Sequence, residues 1–219
     1  MKKYELTAEC KDFLGRKLYR IRALIDFDSV KEGDLGGWIE KKENLSQSGN
    51  AWVSGNAMVY GDTEVSGNAR VYGDARVYGN AWVYGDAWVY GDARVYGDAE
   101  VSGNAMVYGD ARVYGDARVY GDAEVSGNAE IRKRTHLLEI GFIGSRDDVT
   151  TFFRTKNKEI FVKCGCFRGN IDDFEKRVQK VHGEDKHGKV YALAIAMAKE
   201  QIELEDEDVE EEEVSRWKS

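Results

Sequence analysis

Arg76, Arg94 and Arg112 recur at intervals of eighteen residues, and each is followed two residues later by a tyrosine, Tyr78, Tyr96 and Tyr114. A guanidinium is a permanent cation whose planar N–H donors match phosphate oxygens, and a phenol adds another donor and a ring face. If the fold sets positions eighteen apart side by side, these six residues form an Arg/Tyr strip able to seat a small anionic, nucleotide-like ligand. Cations in register repel one another unless aromatics, acids or a bound anion compensate. Two other readings stay open. Arg and Tyr are acceptable strand residues that tandem duplication would simply copy. Trp, Tyr, Met and Arg are also enriched at subunit contacts, which makes Trp82, Trp88, Tyr84 and Tyr90 candidates for an oligomer interface.

Other chemistry-bearing residues are sparse. Cys164 and Cys166 could suggest a metal with His182 or His187, yet Ile160, Val162, Cys164 and Cys166 alternate onto one strand face, which reads as two buried thiols. The glycines of 33–37 lack the strand-to-helix context of a phosphate loop. The three histidines, His136, His182 and His187, all lie outside 45–131. No catalytic set, metal site or cofactor is expected. Three cysteines are too few for a disulfide framework and agree with a reducing compartment.

The element that must position the strip is a repeat. From Gly49 to Asn128 the chain reads Gly-Asp/Asn-Ala-x-Val-Tyr/Ser with a period of six, and valine recurs from Val53 to Val125 before Ile131 takes the slot. By alternation Ala and Val share one face, while x and the following Tyr or Ser point away. The Gly-Asp or Gly-Asn pair tolerates positive φ and turns a corner every six residues. Proline, which would remove a ladder donor, is absent. A three-residue strand with a two-residue corner suits a coil of stacked parallel strands.

With eighteen residues per coil, Leu35 falls one coil before Val53 and Gly37 one coil before Gly55, with Ile39 and Leu45 in alanine slots; 35–52 reads as a degenerate first coil. Tyr19, Ile21, Ala23 and Ile25 alternate as a strand of a small N-terminal β cap covering the exposed edge. Downstream, Leu137–Ile143, Val149–Arg154 and Glu159–Cys164 read as three strands. A helix N-capped by Asn170 follows, with an Ile171, Phe174, Val178, Val181 stripe. A second helix at about 189–202 carries Tyr191, Ile195, Ala198 and Ile202. The expected organisation is 1–34 cap, 35–132 β-helix, 133–202 small C-terminal α+β module and 203–219 acidic disordered tail.

The spacing of an aliphatic residue and a small residue four places on, as in Val71 and Ala75 or Val89 and Ala93, resembles the hexapeptide-repeat family. That resemblance covers about 45–131 and implies a mainly β, left-handed parallel β-helix with three hexads per coil. It also implies a homo-oligomer, a trimer before a dimer. Leu-Tyr-Arg-Ile-Arg-Ala-Leu at 18–24, Gly-Asp-Leu-Gly-Gly-Trp-Ile-Glu at 33–40 and Gly-Cys-Phe-Arg-Gly at 165–169 look like hexapeptide-repeat proteins of phages and prophages. Many family members are acyltransferases with a histidine base. The absence of histidine from the repeats, and of a long loop ejected from them, departs from that pattern.

With 42% hydrophobic and 33% charged residues the chain reads as globular, and no stretch approaches a transmembrane helix. The opening Met1 to Glu5 lacks the apolar core of a signal peptide, so the expected compartment is cytoplasm, the host's if the protein is phage-encoded. The formal charge of −8 resides almost wholly in the last segment, where nine acids from Glu203 to Glu213 outweigh Arg216 and Lys218; residues 1–202 carry about −1 and do not argue for nucleic acid. The expected function is non-catalytic binding: sequestering a small anionic ligand or blocking a host protein to counter host defence. The alternatives are a structural or assembly module, then an acyltransferase.

Overall fold

The computed structural model describes residues 2–205. Fourteen short strands, β4 to β17, run from Trp52–Val53 to Glu130–Ile131 and stack in parallel on partners eighteen residues away, as Arg70 beside Trp88 and Trp88 beside Met106. They wind a β-solenoid of about five turns with three faces. The register follows from what each slot can hold. Every valine from Val53 to Val125, and Ile131 after them, is fully buried, as are the alanines from Ala51 to Ala123. Each buried valine contributes roughly 2 kcal/mol. At the corners the chain needs the left-handed region, as at Gly91 (φ +70), where an added Cβ would also stand 3.0 Å from the Gly109 nitrogen. The polar corner residues form ladders: the Asn68 amide donates to Asp86 at 2.9 Å and that of Asn80 to Asp98 at 2.9 Å.

The first coil differs from the eighteen-residue reading. Ile39 pairs with Val59 and Leu45 with Val65, twenty residues on, so both fill valine slots, not alanine slots. Leu35 is exposed, and Gly37 takes an alanine position where a Cβ would press on the Ala57 carbonyl oxygen. The two extra residues fall at Gln47 and Ser48, since Asn50 is back in step, its N–H donating to the Gly67 carbonyl. That enlarged corner is a socket for the cap. Gln47 Oε1 accepts from the Lys3 backbone N–H at 2.8 Å, and the Tyr4 hydroxyl donates to the Leu45 carbonyl at 2.7 Å.

The cap is a hairpin of β1 (Tyr4–Phe13) and β2 (Arg16–Ala23), which joins the solenoid through β3 (Leu35–Ile39). Strand β1 is hidden in the sequence because its charges interrupt the alternation. Ile21 and Ala23 close the solenoid core, while Leu18 is buried on the other side, so both faces of β2 are covered.

The C-terminal module has four antiparallel strands, one more than expected: β18 (Leu137–Ile143), β19 (Asp148–Arg154), β20 (Ile160–Cys164) and β21 (Phe167–Asn170). Alternation along β19 sends Phe153 into the solenoid core and Phe152 into a second core with Phe174, Tyr191 and Ile195. Helix α1 (Ile171–His182) is capped by Asn170 Oδ1, which accepts from the Asp173 N–H at 2.8 Å. Helix α2 (Lys186–Gln201) starts earlier than expected because Asp185 caps it, accepting from the Gly188 N–H at 2.7 Å. Val181, expected on the buried stripe, is exposed at the end of α1. Of the segment expected as an acidic tail, Glu203 pairs with Lys133 and Glu205 with Lys158, and Arg154 Nε donates to the Leu204 carbonyl; the rest lies outside the described residues. Among the described residues no helix is long and apolar enough to cross a membrane.

Candidate anion-binding strip

Arg94 lies beside Arg76 on one side and Arg112 on the other, in adjacent parallel rungs of one face. The row continues upward to Met58 and downward to Glu130. Two residues further along each rung, Tyr60, Tyr78, Tyr96 and Tyr114 form a stack with ring centroids 4.8–5.0 Å apart and planes within 2°. The structure therefore brings together all six residues of the strip. Among the described residues none of the three guanidiniums has a carboxylate partner within ion-pair distance. Like charges in register repel one another, and among the described residues the only ring lying under one of the three is that of Phe13, beneath Arg76.

Both ends of the row are closed. At the upper end Phe13 of the cap hairpin packs edge-on to Tyr60 at 5.7 Å, and Arg76 lies over the Phe13 ring at 5.2 Å. At the lower end the Tyr114 hydroxyl donates to Glu130 Oε1 at 2.7 Å, and Arg154 stands 3.8 Å from Glu130 Oε2. Burial pushes Tyr60 and Tyr96 up to about 12 and raises Tyr78 as well. Tyr114 is raised by burial and by its bond to Glu130. The phenols thus keep their protons at neutral pH and remain able to donate a hydrogen bond. The tyrosine column offers donors; Tyr114 alone of the three candidate phenols has already committed its own.

One part of the electrostatics escapes a search for cations and aromatics, although the repeat spells it out. Asp74, Asp92 and Asp110 occupy the corner two residues before each arginine. The other two corner columns alternate Asn with Asp through most of their length, whereas here three aspartates follow in register. Only Asp74 has a ladder partner, the Asn56 amide at 3.2 Å. A carboxylate column therefore flanks the arginines on one side and the tyrosine column on the other. The tyrosine side of the row is therefore the side without an adjoining carboxylate column.

The expected interface residues are spread over two adjacent faces. Trp82 and Tyr84 lie on one face and Trp88 and Tyr90 on the next, on either side of a corner. Trp82 and Trp88 are about half exposed, at 54% and 45%. Tyr90 is half-buried in a second stack, between Tyr72 at 4.8 Å and Tyr108 at 4.9 Å. The cysteines correct the sequence reading. The β20 strand ends at Cys164, Gly165 turns the chain at φ +52, and Cys166 is exposed with Arg146 at 3.3 Å; Cys164 is half-buried, near the Thr150 hydroxyl at 3.2 Å. His136 is fully buried, its Nδ1 accepting from the Arg132 N–H at 3.3 Å.

The YdcK beta solenoid repeat model matches residues 69–85, 75–91, 99–115 and 111–127, which include Arg76 and Arg112 of the row, while Arg94 falls between the matched stretches. Over those stretches the chain is similar to that family. No curated protein matches the chain.

Proposed function

We propose that the protein is a non-catalytic binding scaffold and that the Arg/Tyr strip is its contact surface for a phosphate-bearing, nucleotide-like ligand. The observation that carries this reading is the row Arg76, Arg94, Arg112, three permanent cations in adjacent rungs with no ion-pair partner among the described residues, beside a column of protonated tyrosines. Guanidiniums in that arrangement favour an oxyanion lying across them. In this reading the solenoid belongs with hexapeptide-repeat proteins of phage origin. It works in the host cytoplasm, sequestering its ligand or blocking a host protein that presents such a group. Calorimetric titration of wild type and of Arg94→Gln/Arg112→Gln against cyclic and linear nucleotides tests it. Binding by wild type and loss in the double variant, with the melting temperature kept, is expected; wild type that binds none overturns it.

A second reading, assembly into a homo-oligomer with a trimer favoured, is supported by the half-exposed Trp82 and Trp88. It predicts that Trp82→Ser/Trp88→Ser sediments as a smaller species than wild type. Wild type sedimenting as a monomer at every concentration contradicts it.

A further inference from the structure

The upper end of the strip is built from two chain segments. Arg20 of β2 pairs with Trp38, Trp38 with Met58 and Met58 with Arg76, so Arg20 stands in the same row as the three arginines. The hairpin then curls over the outer face, burying Leu18 against Trp38, Met58 and Tyr60. This brings Lys11 of β1 down onto the row. Its ammonium lies 4.3 Å from the Trp38 ring centroid, and the Arg20 guanidinium rests on the same ring at 5.3 Å. Arg76 is carried on Phe13 just below. Lys11 is held below the ordinary lysine range by burial and then by the charges of Arg76 and Arg20, with Asp74 opposing them. Glu9, 3.6 Å from Arg20, and Glu40, which pairs with Arg16 at 3.0 Å, are further acids at this end. Lys11 and Arg76 are cations at this end that have no ion-pair partner among the described residues, and the row ends at Glu130.

We propose that this hairpin–solenoid corner and the first arginine rungs form one seat for a pyrophosphate-bearing ligand, with one phosphate between Lys11 and Arg76 and the next on Arg94. The proposal rests on the strip being a phosphate site and names its ligand class. One phosphate can bridge two cations on rungs about 4.8 Å apart, but the run from Lys11 past Arg76 to Arg94 spans more than one such interval, and two linked phosphates reach all three cations. The hairpin blocks the ligand above, the Asp74, Asp92, Asp110 column repels it on one side and Glu130 ends the row. The remainder of the ligand runs down over Arg112 and the tyrosines. Lys11 is invisible as a site residue in the sequence because only the curl of the hairpin places it there.

The test is calorimetric titration of the full chain with inorganic pyrophosphate and, separately, inorganic phosphate, using wild type, Lys11→Gln, Arg94→Gln/Arg112→Gln and Arg118→Gln as a control on another face. Wild type should bind pyrophosphate more tightly than phosphate. Lys11→Gln should weaken pyrophosphate on the order of tenfold, the effect of losing one charge-assisted contact, and Arg118→Gln should bind as wild type. If Lys11→Gln binds as wild type while the arginine double variant loses binding, the composite seat is wrong and the strip reading stands. Phosphate bound as tightly as pyrophosphate overturns the ligand class. Wild type that binds neither overturns both.

Discussion

The ammonium of Lys3 donates to the carbonyl oxygen of Ala51 at 2.9 Å. The same group reaches the carbonyls of Gly49 at 3.3 Å and Ser48 at 3.4 Å, and Lys3 is almost fully buried. It thereby supplies donors where the stack of coils ends and no further rung exists. Lys3→Met keeps the stem and removes those donors, so it should destabilise the protein by about 2–3 kcal/mol through unsatisfied buried carbonyls. For a chain of this size that corresponds to a fall of roughly 5–10 °C in a thermal melt. An unchanged melting temperature would show that the cap does not depend on this contact.

Val89 sits in the middle of the core between Val71 and Val107, with no exposure. Val89→Asp places an unpaired carboxylate in a channel lined by alanine and valine and should abolish soluble expression. Val89→Ala, which leaves only a small void, should cost about 2 kcal/mol and still fold. Soluble Val89→Asp with a wild-type melt would contradict the inward assignment.

His136 is buried beside Arg132 and Arg154, and its pKa lies below the ordinary histidine value because of burial first and the two guanidiniums second. The unfolded chain therefore takes up a proton near pH ~6.5 that the folded chain refuses until lower pH, so stability is lost as pH falls below that value. Denaturation curves at pH 7 and pH 5 should show this loss. His136→Asn keeps an acceptor for the Arg132 N–H without titrating, so it should flatten the slope; an identical slope would assign the acid sensitivity elsewhere.

Asp92 stands between Asp74 and Asp110 in its corner column, without a ladder amide beside it, two residues before Arg94. Asp92→Asn removes a negative charge beside the proposed anion path and reproduces a residue already used at the equivalent corners Asn56 and Asn128. Affinity for pyrophosphate should rise severalfold with the melt unchanged or higher, since like charges in register are also relieved. Weaker binding would mean that the aspartates help to hold the ligand.

Legibility varies along the chain. The period of six translates directly into inside and outside, so the buried positions from Val53 to Ile131 and the in-register arginines follow from the sequence alone. The first coil does not, because Gln47 and Ser48 add two residues at a corner and shift Ile39 and Leu45 into valine slots while leaving local alternation intact. Cys166 misleads because alternation does not carry past the Gly165 turn. Val181 misleads because an apolar helix position says nothing of where the covering layer ends. For the site, the row is legible and its surroundings are not: Lys11 and Phe13 reach it through the curl of a hairpin, a tertiary fact without a local pattern.

The most direct measurement of the central claim is a nuclear magnetic resonance titration of the arginine side-chain N–H signals with inorganic pyrophosphate. The Arg76, Arg94 and Arg112 signals should shift together and saturate, while those of Arg118 and the Trp82 and Trp88 indoles stay in place. Shifts confined to Arg118 or the tryptophans, or none at saturating pyrophosphate, would contradict an anion seat on the arginine row.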